Sequence, residues 1–228
     1  MTATAIVPVK RFGHAKRRLL GRLDRPQRAA IVKAMLADVL AAIGRASWVE
    51  RIVVVTGEGR AERIALGTAQ RITTPVEVLR DPSDVGHSEA ATLGIVRARA
   101  LGAGCVALLP GDCPLLDPNE LDAAIGRMRG GRVAVIPDRH GTGTNGLIMA
   151  PPDAIGPAFG PDSRARHLDR AARRGHEADV EELASLALDV DTPEDLEALA
   201  AAVATEPRRA PETARELARL GLAAARGR

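Results

Sequence analysis

Short apolar runs alternate with longer segments of helical periodicity along most of the chain. Short runs of β-branched and other apolar residues are typical of buried strands, whereas apolar residues recurring about every three or four positions indicate one face of a helix. The first pattern predicts strands at residues 3–9, 51–56, 76–79, 105–109, 133–137, 147–150 and 186–190. The second predicts helices at residues 26–43, 58–69, 89–101, 164–174 and 193–205, and one that begins at residue 118.

Several of these elements carry recognisable end signals. Asp117-Pro118 and Thr192-Pro193 each combine an N-cap residue with proline at the first helical position, and Gly44 lies where a helix C-cap is expected. Because strands and helices alternate, the sequence predicts an α/β fold with βαβ units and a mainly parallel sheet. We expect one domain over residues 1–205, followed by an Arg/Ala-rich tail over residues 206–228 that is a marginal or frayed helix.

Composition narrows the classes of function. With 46% hydrophobic and 27% charged residues, the 228-residue chain resembles a soluble globular protein rather than a disordered one. Its net charge of +3 comes from residues 205–228, and no basic face interleaved with aromatic residues indicates a nucleic-acid partner. No apolar run is long enough to span a bilayer, and Pro8 and Lys10 lie where the apolar stretch of a signal peptide should be. We therefore expect a cytoplasmic protein with neither nucleic-acid nor membrane partners.

Basic residues follow the first predicted strand. In an open α/β sheet, ligands bind beyond the carboxyl ends of the strands. Lysine supplies only three of the 32 basic residues, yet Lys10 and Lys16 both lie in this loop, next to Arg17 and Arg18. Such a cluster suits the oxygens of a polyphosphate. A solvated basic loop is the alternative interpretation.

Acidic residues follow two other predicted strands. Asp112 lies in the turn PGDCP, directly after a buried strand, while Asp189 and Asp191 alternate at a later strand end with Val190 turned into the core. Carboxylates from two strand ends could hold Mg²⁺, which completes its coordination with phosphate oxygens and water. The alternatives are a turn or cap aspartate and two unrelated solvated loops.

Two further loops could bind an anion. The loop DRHGTGTNG matches G-x-G-x-x-G, but the strand LIMA follows it where a dinucleotide motif needs a helix. Its glycines and threonines could bring donors to an anionic ligand, or form a hairpin turn. The segment FGPDS precedes a helix whose first amides could bind phosphate or carboxylate, although Asp162 or Ser163 could serve only as the N-cap.

The remaining titratable residues predict no further chemistry. The histidines lack metal-ligand spacing and form no triad, so we expect them to be loop or cap residues. Cys105 and Cys113 have no companion cysteines, which predicts two reduced, structural thiols.

The motifs taken together resemble one family. They are, in chain order, PVKRFGHAKRRL, LPGDCPLL, PDRHGTGTNGL, FGPDSRARH and LALDVDTPEDL. They look like the guanylyltransferases that make the deazaflavin coenzyme F420, and the resemblance runs from about residue 5 to residue 200. Members of that family join the guanylyl group of GTP to 2-phospho-L-lactate or to phosphoenolpyruvate, and they need Mg²⁺. The resemblance implies the nucleotide-diphospho-sugar transferase fold, a three-layer sandwich with a mainly parallel sheet.

The resemblance also implies roles for individual residues. Lys10, Lys16 and Arg17 are implied to face the GTP phosphates, and these three residues together with Asp112 are implied to act in catalysis. Those implied to hold Mg²⁺ are Asp112, Asp189 and Asp191. Those implied to contact phosphoenolpyruvate are Thr144, Gly160 and Ser163. Arg17 stands where many relatives have a smaller residue.

The implied reaction needs no protein nucleophile. An already anionic phosphate oxygen of the acceptor attacks the α-phosphorus of GTP in line, and pyrophosphate leaves, so positioning and charge neutralisation supply the catalysis. We therefore expect transfer of GMP from GTP to phosphoenolpyruvate, giving enolpyruvoyl-2-diphospho-5′-guanosine. The alternatives are 2-phospho-L-lactate as acceptor, a cytidylyl or sugar-nucleotide transferase of the same fold, and a non-catalytic nucleotide-binding regulator. The sequence leaves a homodimer open.

Overall fold

The computed structural model describes residues 1–12, 16–81 and 86–223, without the side chain of Arg17. The strands within these residues are β1 (Ala3–Val9), β2 (Val49–Thr56), β3 (Val76–Arg80), β4 (Val106–Leu108), β5 (Arg132–Pro137), β6 (Thr144–Ala150) and β7 (Glu177–Val180). The α-helices are α1 (Arg25–Ile43), α2 (Gly59–Ala69), α3 (His87–Ala100), α4 (Pro118–Gly126), α5 (Ser163–Arg173), α6 (Pro193–Thr205) and α7 (Pro211–Arg219). Two short 3-10 helices span Arg17–Gly21 and Ala184–Leu186.

The described strands form one sheet in the order β3-β2-β1-β4-β6-β5-β7. Four neighbouring pairs are parallel, namely β1 with β2, β1 with β4, β2 with β3, and β5 with β7. Strand β6 runs antiparallel to both β4 and β5, because it returns from β5 as a hairpin and inserts between them. The mainly parallel sheet is confirmed, with β6 as the reversed strand.

Both faces of the sheet are buried, so successive residues of one strand enter two different cores. In β1, Ala5 and Val7 belong to the core beneath α1, α2, α4, α6 and α7, whereas Ile6 belongs to the core beneath α3 and α5. Parallel strands covered on both faces are apolar at almost every position, which is why their sequences are continuous apolar runs. Helices on both sides of the sheet confirm the predicted three-layer sandwich.

The predicted helix ends are largely confirmed. Asp117 is the N-cap of α4 and accepts from the Asn119 N–H, and Gly44 is the C-cap of α1. Thr192 begins α6 through a capping box with Asp195, in which each side chain accepts from the other residue's backbone N–H. Of the helices in the described residues, none is both long and apolar enough to cross a membrane.

The strand predicted at residues 186–190 is wrong. A 3-10 turn and an irregular segment occupy this region, and the last strand is β7, which pairs with the edge of β5. Backbone groups of the irregular segment find other partners: the Leu186 carbonyl accepts from Asn145 Nδ2 at 2.7 Å and the Ala187 carbonyl accepts from the Arg139 N–H at 2.9 Å. Strand β7 was missed because its partly exposed residues show only weak apolar alternation.

The described part of the predicted tail contains α7, which packs on α1. Asp38 of α1 is 2% exposed, and its carboxylate accepts from the Glu212 N–H at 3.1 Å and the Thr213 N–H at 2.7 Å. The first amides of a helix need acceptors, and here the acceptor comes from another helix because α7 has no side-chain cap of its own. Leu217 of α7 is also buried in the core. The helix predicted in the tail is therefore present as α7 and packs on the domain, while its marginal stability stays a prediction.

Candidate functional site

A cavity of about 760 Å³ opens where β1 and β4 end. The residues that follow these strands, Lys10 after β1 and Gly111 and Asp112 after β4, form part of its wall. Strand β6 runs the opposite way, so its first residues, Thr144 and Asn145, reach the same edge of the sheet. This is the edge where ligands bind in open α/β sheets.

Most of the predicted site residues line this cavity. Those predicted to bind phosphate or metal are Lys10, Lys16, Asp112, Asp189 and Asp191. Those predicted to contact the acceptor are Thr144, Gly160 and Ser163. The side chain of Arg17 lies outside the described residues. The structure thus brings together residues from five separate segments, while their individual roles stay predictions.

Lys16 bridges two of the acidic residues. Its Nζ donates to Asp112 Oδ2 and, at 2.7 Å, to Asp191 Oδ1, and only 7% of its side chain is exposed. Burial alone would lower the pKa of Lys16, but attraction to the Asp112 and Asp191 carboxylates outweighs it and raises that pKa above its ordinary value. The ammonium therefore stays charged. It holds together two carboxylates from segments far apart in the chain.

Asp189 is held by a residue that the sequence analysis missed. Asn145 Nδ2 donates to Asp189 Oδ1 at 3.2 Å while also binding the Leu186 carbonyl. Burial raises the pKa of Asp189 and the nearby Asp112 charge raises it further, against the lowering effect of the Asn145 hydrogen bond. The site therefore gathers more negative charge than Lys16 alone neutralises. Asn145 gave no separate signal, because an Asn-Gly pair in a glycine-rich loop indicates a turn.

Asp195 fixes the segment that carries Asp191. Its Oδ2 accepts from the Asp191 N–H at 3.0 Å and the Thr192 N–H at 2.7 Å, and its Oδ1 pairs with Arg139 at 2.6 Å. Although burial opposes it, these backbone hydrogen bonds and the Arg139 charge lower the pKa of Asp195. Asp195 lies in the first turn of α6.

The three predicted metal ligands suit a divalent cation by their chemistry. Mg²⁺ prefers carboxylate oxygens and accepts phosphate oxygens beside them. Asp112 and Asp191 already share one cationic group, the Lys16 ammonium, so their carboxylates lie within reach of a common cation. Across the described ranges, no three acidic, histidine or cysteine side chains are grouped so that they could hold a metal ion. Binding of one metal ion by Asp112, Asp189 and Asp191 together would therefore need these side chains, and the Lys16 ammonium between two of them, to rearrange.

Residues just before and at the start of α5, Gly160 and Ser163, also line the cavity. Gly160 has φ 113°, a conformation that residues with a Cβ rarely adopt. The first amides of α5 are partly used within the fold, since the Ser163 N–H donates to the Gly160 carbonyl and the Arg164 N–H to the Thr142 carbonyl, both at 3.1 Å. Asp162 is the N-cap residue but makes no side-chain capping bond. The helix therefore offers fewer free amides to an anion than its sequence suggests.

The glycine-rich loop is a hairpin connection. It joins β5 to the antiparallel β6, so the hairpin interpretation is confirmed and no helix follows it as a dinucleotide motif would require. A Cβ at Gly146 would lie 2.7 Å from Ile136 Cδ1 on the facing strand, which explains that glycine by close packing across the hairpin. Thr142 is exposed, whereas Thr144 lines the cavity.

Three rings form a cluster next to Thr144 and Gly160. Phe159 makes edge contacts with His87 at 4.7 Å and with His167 at 5.2 Å between ring centroids. Burial lowers the pKa of His87 and of His167 to about 4, so both are neutral near pH 7. The prediction that the histidines are loop or cap residues is wrong for His167, which lies within α5. Phe159 was missed as an aromatic contact, because a single ring in a loop has no periodicity to detect.

The two cysteines are free and buried, which confirms their structural assignment. Burial raises the pKa of Cys105 to about 12 and that of Cys113 well above its ordinary value, where the charge of Asp112 adds to the rise. The reactive thiolate form is therefore disfavoured at both positions.

Comparison with known proteins identifies the family. Residues 3–213 match the family model described as guanylyl transferase CofC like. The chain belongs to this family. Among CofC-like relatives, the phosphoenolpyruvate guanylyltransferase of Conexibacter woesei is 45% identical over 207 residues, covering 90% of each chain. That of Sphaerobacter thermophilus is 37% identical over 201 residues, covering 88% of this chain and 93% of the relative.

Solved structures share the CofC-like chain's fold. A Desulfovibrio desulfuricans protein provisionally named a nucleotide-diphospho-sugar transferase has a TM-score of 0.73 at 18% identity, covering 96% of this chain and 97% of its own. A cytidylyltransferase from Leptospira borgpetersenii has a TM-score of 0.61 at 14% identity, covering 100% and 99%. At these identities the likeness concerns the fold alone, and it confirms the predicted nucleotide-diphospho-sugar transferase architecture.

Proposed function

We propose that this CofC-like protein transfers GMP from GTP to phosphoenolpyruvate, giving enolpyruvoyl-2-diphospho-5′-guanosine and pyrophosphate. One observation carries the proposal: Lys16, between Asp112 and Asp191, lines a cavity that Thr144 and Ser163 also line. Charged groups for a triphosphate and hydroxyl groups for a second anion thus meet in one cavity. The names of the Conexibacter woesei and Sphaerobacter thermophilus relatives support the same reaction and acceptor.

The basic residues bind and neutralise the GTP phosphates. Lys10 and Lys16 line the cavity and supply positive charge for the triphosphate, and the family resemblance assigns Arg17 the same role. This charge stabilises the leaving pyrophosphate as it becomes more anionic. The acceptor phosphate oxygen forms a bond to the α-phosphorus as the bond between that phosphorus and the bridging oxygen to the β-phosphorus breaks. No proton needs to move, because the attacking oxygen is already anionic.

The acidic residues would hold a divalent cation. We assign Asp112, Asp189 and Asp191 as ligands of Mg²⁺, which when bound would screen the repulsion between GTP and the acceptor. Asn145 and Asp195 keep Asp189 and the Asp191 backbone in place. Thr144, Gly160 and Ser163, which also line the cavity, orient the acceptor.

The test is a purified-protein assay of pyrophosphate release. GTP and Mg²⁺ are supplied with phosphoenolpyruvate or with 2-phospho-L-lactate, and the guanylylated product is identified by mass. We expect turnover with phosphoenolpyruvate, and loss of at least about 100-fold in kcat for Asp112→Asn. Asp153→Asn, which changes an exposed aspartate outside this cavity, is the matched control.

Each alternative function has a distinct result in this assay. Faster turnover with 2-phospho-L-lactate would reassign the acceptor, and a preference for CTP over GTP would reassign the nucleotide. Tight GTP binding with no pyrophosphate from either acceptor would indicate a nucleotide-binding regulator. Full activity in the presence of a chelator would overturn the assignment of the three carboxylates to Mg²⁺.

A further inference from the structure

The buried ring of His167 contacts both Thr144, which lines the cavity, and the backbone at Ala158. The ring is 0% exposed; its Nε2 accepts from the Ala158 N–H at 2.8 Å, and its Nδ1 lies 3.0 Å from Thr144 Oγ1. Of these partners, Thr144 lines the cavity and Ala158 begins the segment that leads to Gly160.

The contact with Ala158 decides which ring nitrogen carries the proton. A backbone N–H only donates, so Nε2 must present its lone pair, and a neutral ring then carries its hydrogen on Nδ1. Burial, with the charges of Arg170 and Arg166, lowers the pKa of His167 to about 4, which keeps the ring neutral near pH 7. The Nδ1–H therefore donates to Thr144 Oγ1.

This hydrogen bond determines what the threonine hydroxyl can do. An oxygen that accepts from His167 cannot direct its own hydrogen back at the ring, so the Thr144 hydrogen is left for another acceptor. We propose that His167 is a positioning residue that presents the Thr144 hydroxyl as a donor to an anionic oxygen of the acceptor substrate. The inference rests on the proposed function, because it needs an anionic acceptor at Thr144.

The loop behind the ring has a second support. Arg166 Nη2 donates to the Ala158 carbonyl at 2.8 Å and to the Phe159 carbonyl at 3.2 Å. The path of this loop therefore does not depend on His167 alone. A substitution at His167 can remove the bond to Thr144 while Arg166 still holds the loop.

Three substitutions at His167 separate positioning from packing. His167→Leu removes both ring contacts, and His167→Asn places an amide donor near the position of Nδ1. His167→Gln places its amide near Nε2, where it can accept from Ala158 but cannot reach Thr144. The readouts are KM for phosphoenolpyruvate, KM for GTP and the melting temperature, with His176→Asn, a histidine outside the cavity, as control.

We expect His167→Leu and His167→Gln to raise KM for phosphoenolpyruvate about tenfold, the loss typical of one hydrogen bond to a charged group, while KM for GTP stays the same. His167→Asn should restore most of the affinity, although it loses the bond to Ala158. In a Thr144→Val background, which has no hydroxyl to orient, His167→Gln should change KM for phosphoenolpyruvate by less than about twofold.

Other outcomes would overturn the inference. Equal increases in both KM values, or the same tenfold effect of His167→Gln with and without Thr144, would show that the ring acts only through packing. If KM for phosphoenolpyruvate is as high in His167→Asn as in His167→Gln, at equal melting temperature, the ring likewise acts only through packing. Failure of the wild-type protein to release pyrophosphate with phosphoenolpyruvate would instead reject the proposed function, and the acceptor role of Thr144 with it.

Discussion

Replacement of Asn145 by alanine tests how the site is built. Asn145 is 9% exposed, and its amide is the direct link between the first residues of β6 and the irregular segment that carries Asp189. The substitution removes this link without changing any of the proposed ligands of substrate or metal. It therefore separates positioning of Asp189 from the chemistry of Asp189 itself.

The expected loss of stability follows mainly from the two shorter of the three hydrogen bonds that disappear; the third, to the Ala187 carbonyl, is 3.4 Å long. The bond to the Leu186 carbonyl is 2.7 Å long and joins neutral groups, which corresponds to about 1 kcal/mol, and the bond of 3.2 Å to the Asp189 carboxylate to about 1.5 kcal/mol. The Leu186 carbonyl keeps only the weak Cys113 Sγ contact at 3.6 Å. We expect a decrease of about 2–3 kcal/mol in unfolding free energy, or roughly 5–10 °C in melting temperature.

The Mg²⁺ dependence of activity should also change in Asn145→Ala. Without the amide, the pKa of Asp189 loses a lowering contribution and its carboxylate loses an anchor, so a higher Mg²⁺ concentration should be needed for half-maximal activity. Urea unfolding and Mg²⁺ titration of pyrophosphate release measure the two effects. The control is Asn119→Ala, which replaces an exposed asparagine of α4 and should change stability by less than about 0.5 kcal/mol. A variant with wild-type unfolding and Mg²⁺ dependence would refute this account of Asn145.

Three further predictions concern charge and packing. Lys16→Met removes the ammonium between Asp112 and Asp191, and we expect kcat/KM for GTP to fall roughly 100-fold; Lys33→Met, which changes an exposed lysine of α1, should leave it unchanged. Asp38→Ala leaves the first amides of α7 without their buried acceptor, so urea unfolding should show a loss of about 2 kcal/mol with both KM values unaffected; an unchanged unfolding midpoint would show that this contact does not hold α7. The third prediction concerns the histidines. In the folded chain the pKa values of His87 and His167 are lowered from 6.5 to about 4. Between pH 4 and pH 6.5 the unfolded chain therefore binds more protons than the folded chain. Stability should therefore decrease as the pH falls from 6.5 to 4, and less steeply in His167→Asn; equal slopes for the two proteins would contradict the shift assigned to His167.

The elements that could be predicted are those whose signal is local. Residues 52–56 of strand β2 form a continuous β-branched run because the sheet is covered on both faces. The N-cap Thr192 and Pro193 at the first helical position mark the start of α6. The irregular segment before α6 was mistaken for a strand. Its apolar residues alternate as those of a strand do, yet its backbone groups bind Asn145 and Arg139 rather than a neighbouring strand.

The sequence by itself determined the α/β class, the extent of most strands and helices, and the chemical character of the loops at the strand ends. It did so because hydrophobic periodicity, capping residues and turn residues act over a few neighbouring positions. Only the tertiary structure decided that Lys16 lies between Asp112, 96 positions away, and Asp191, 175 positions away, and that Asn145 holds Asp189. Contacts of that kind depend on the order of strands in the sheet and on the reversal of β6, which no local pattern encodes.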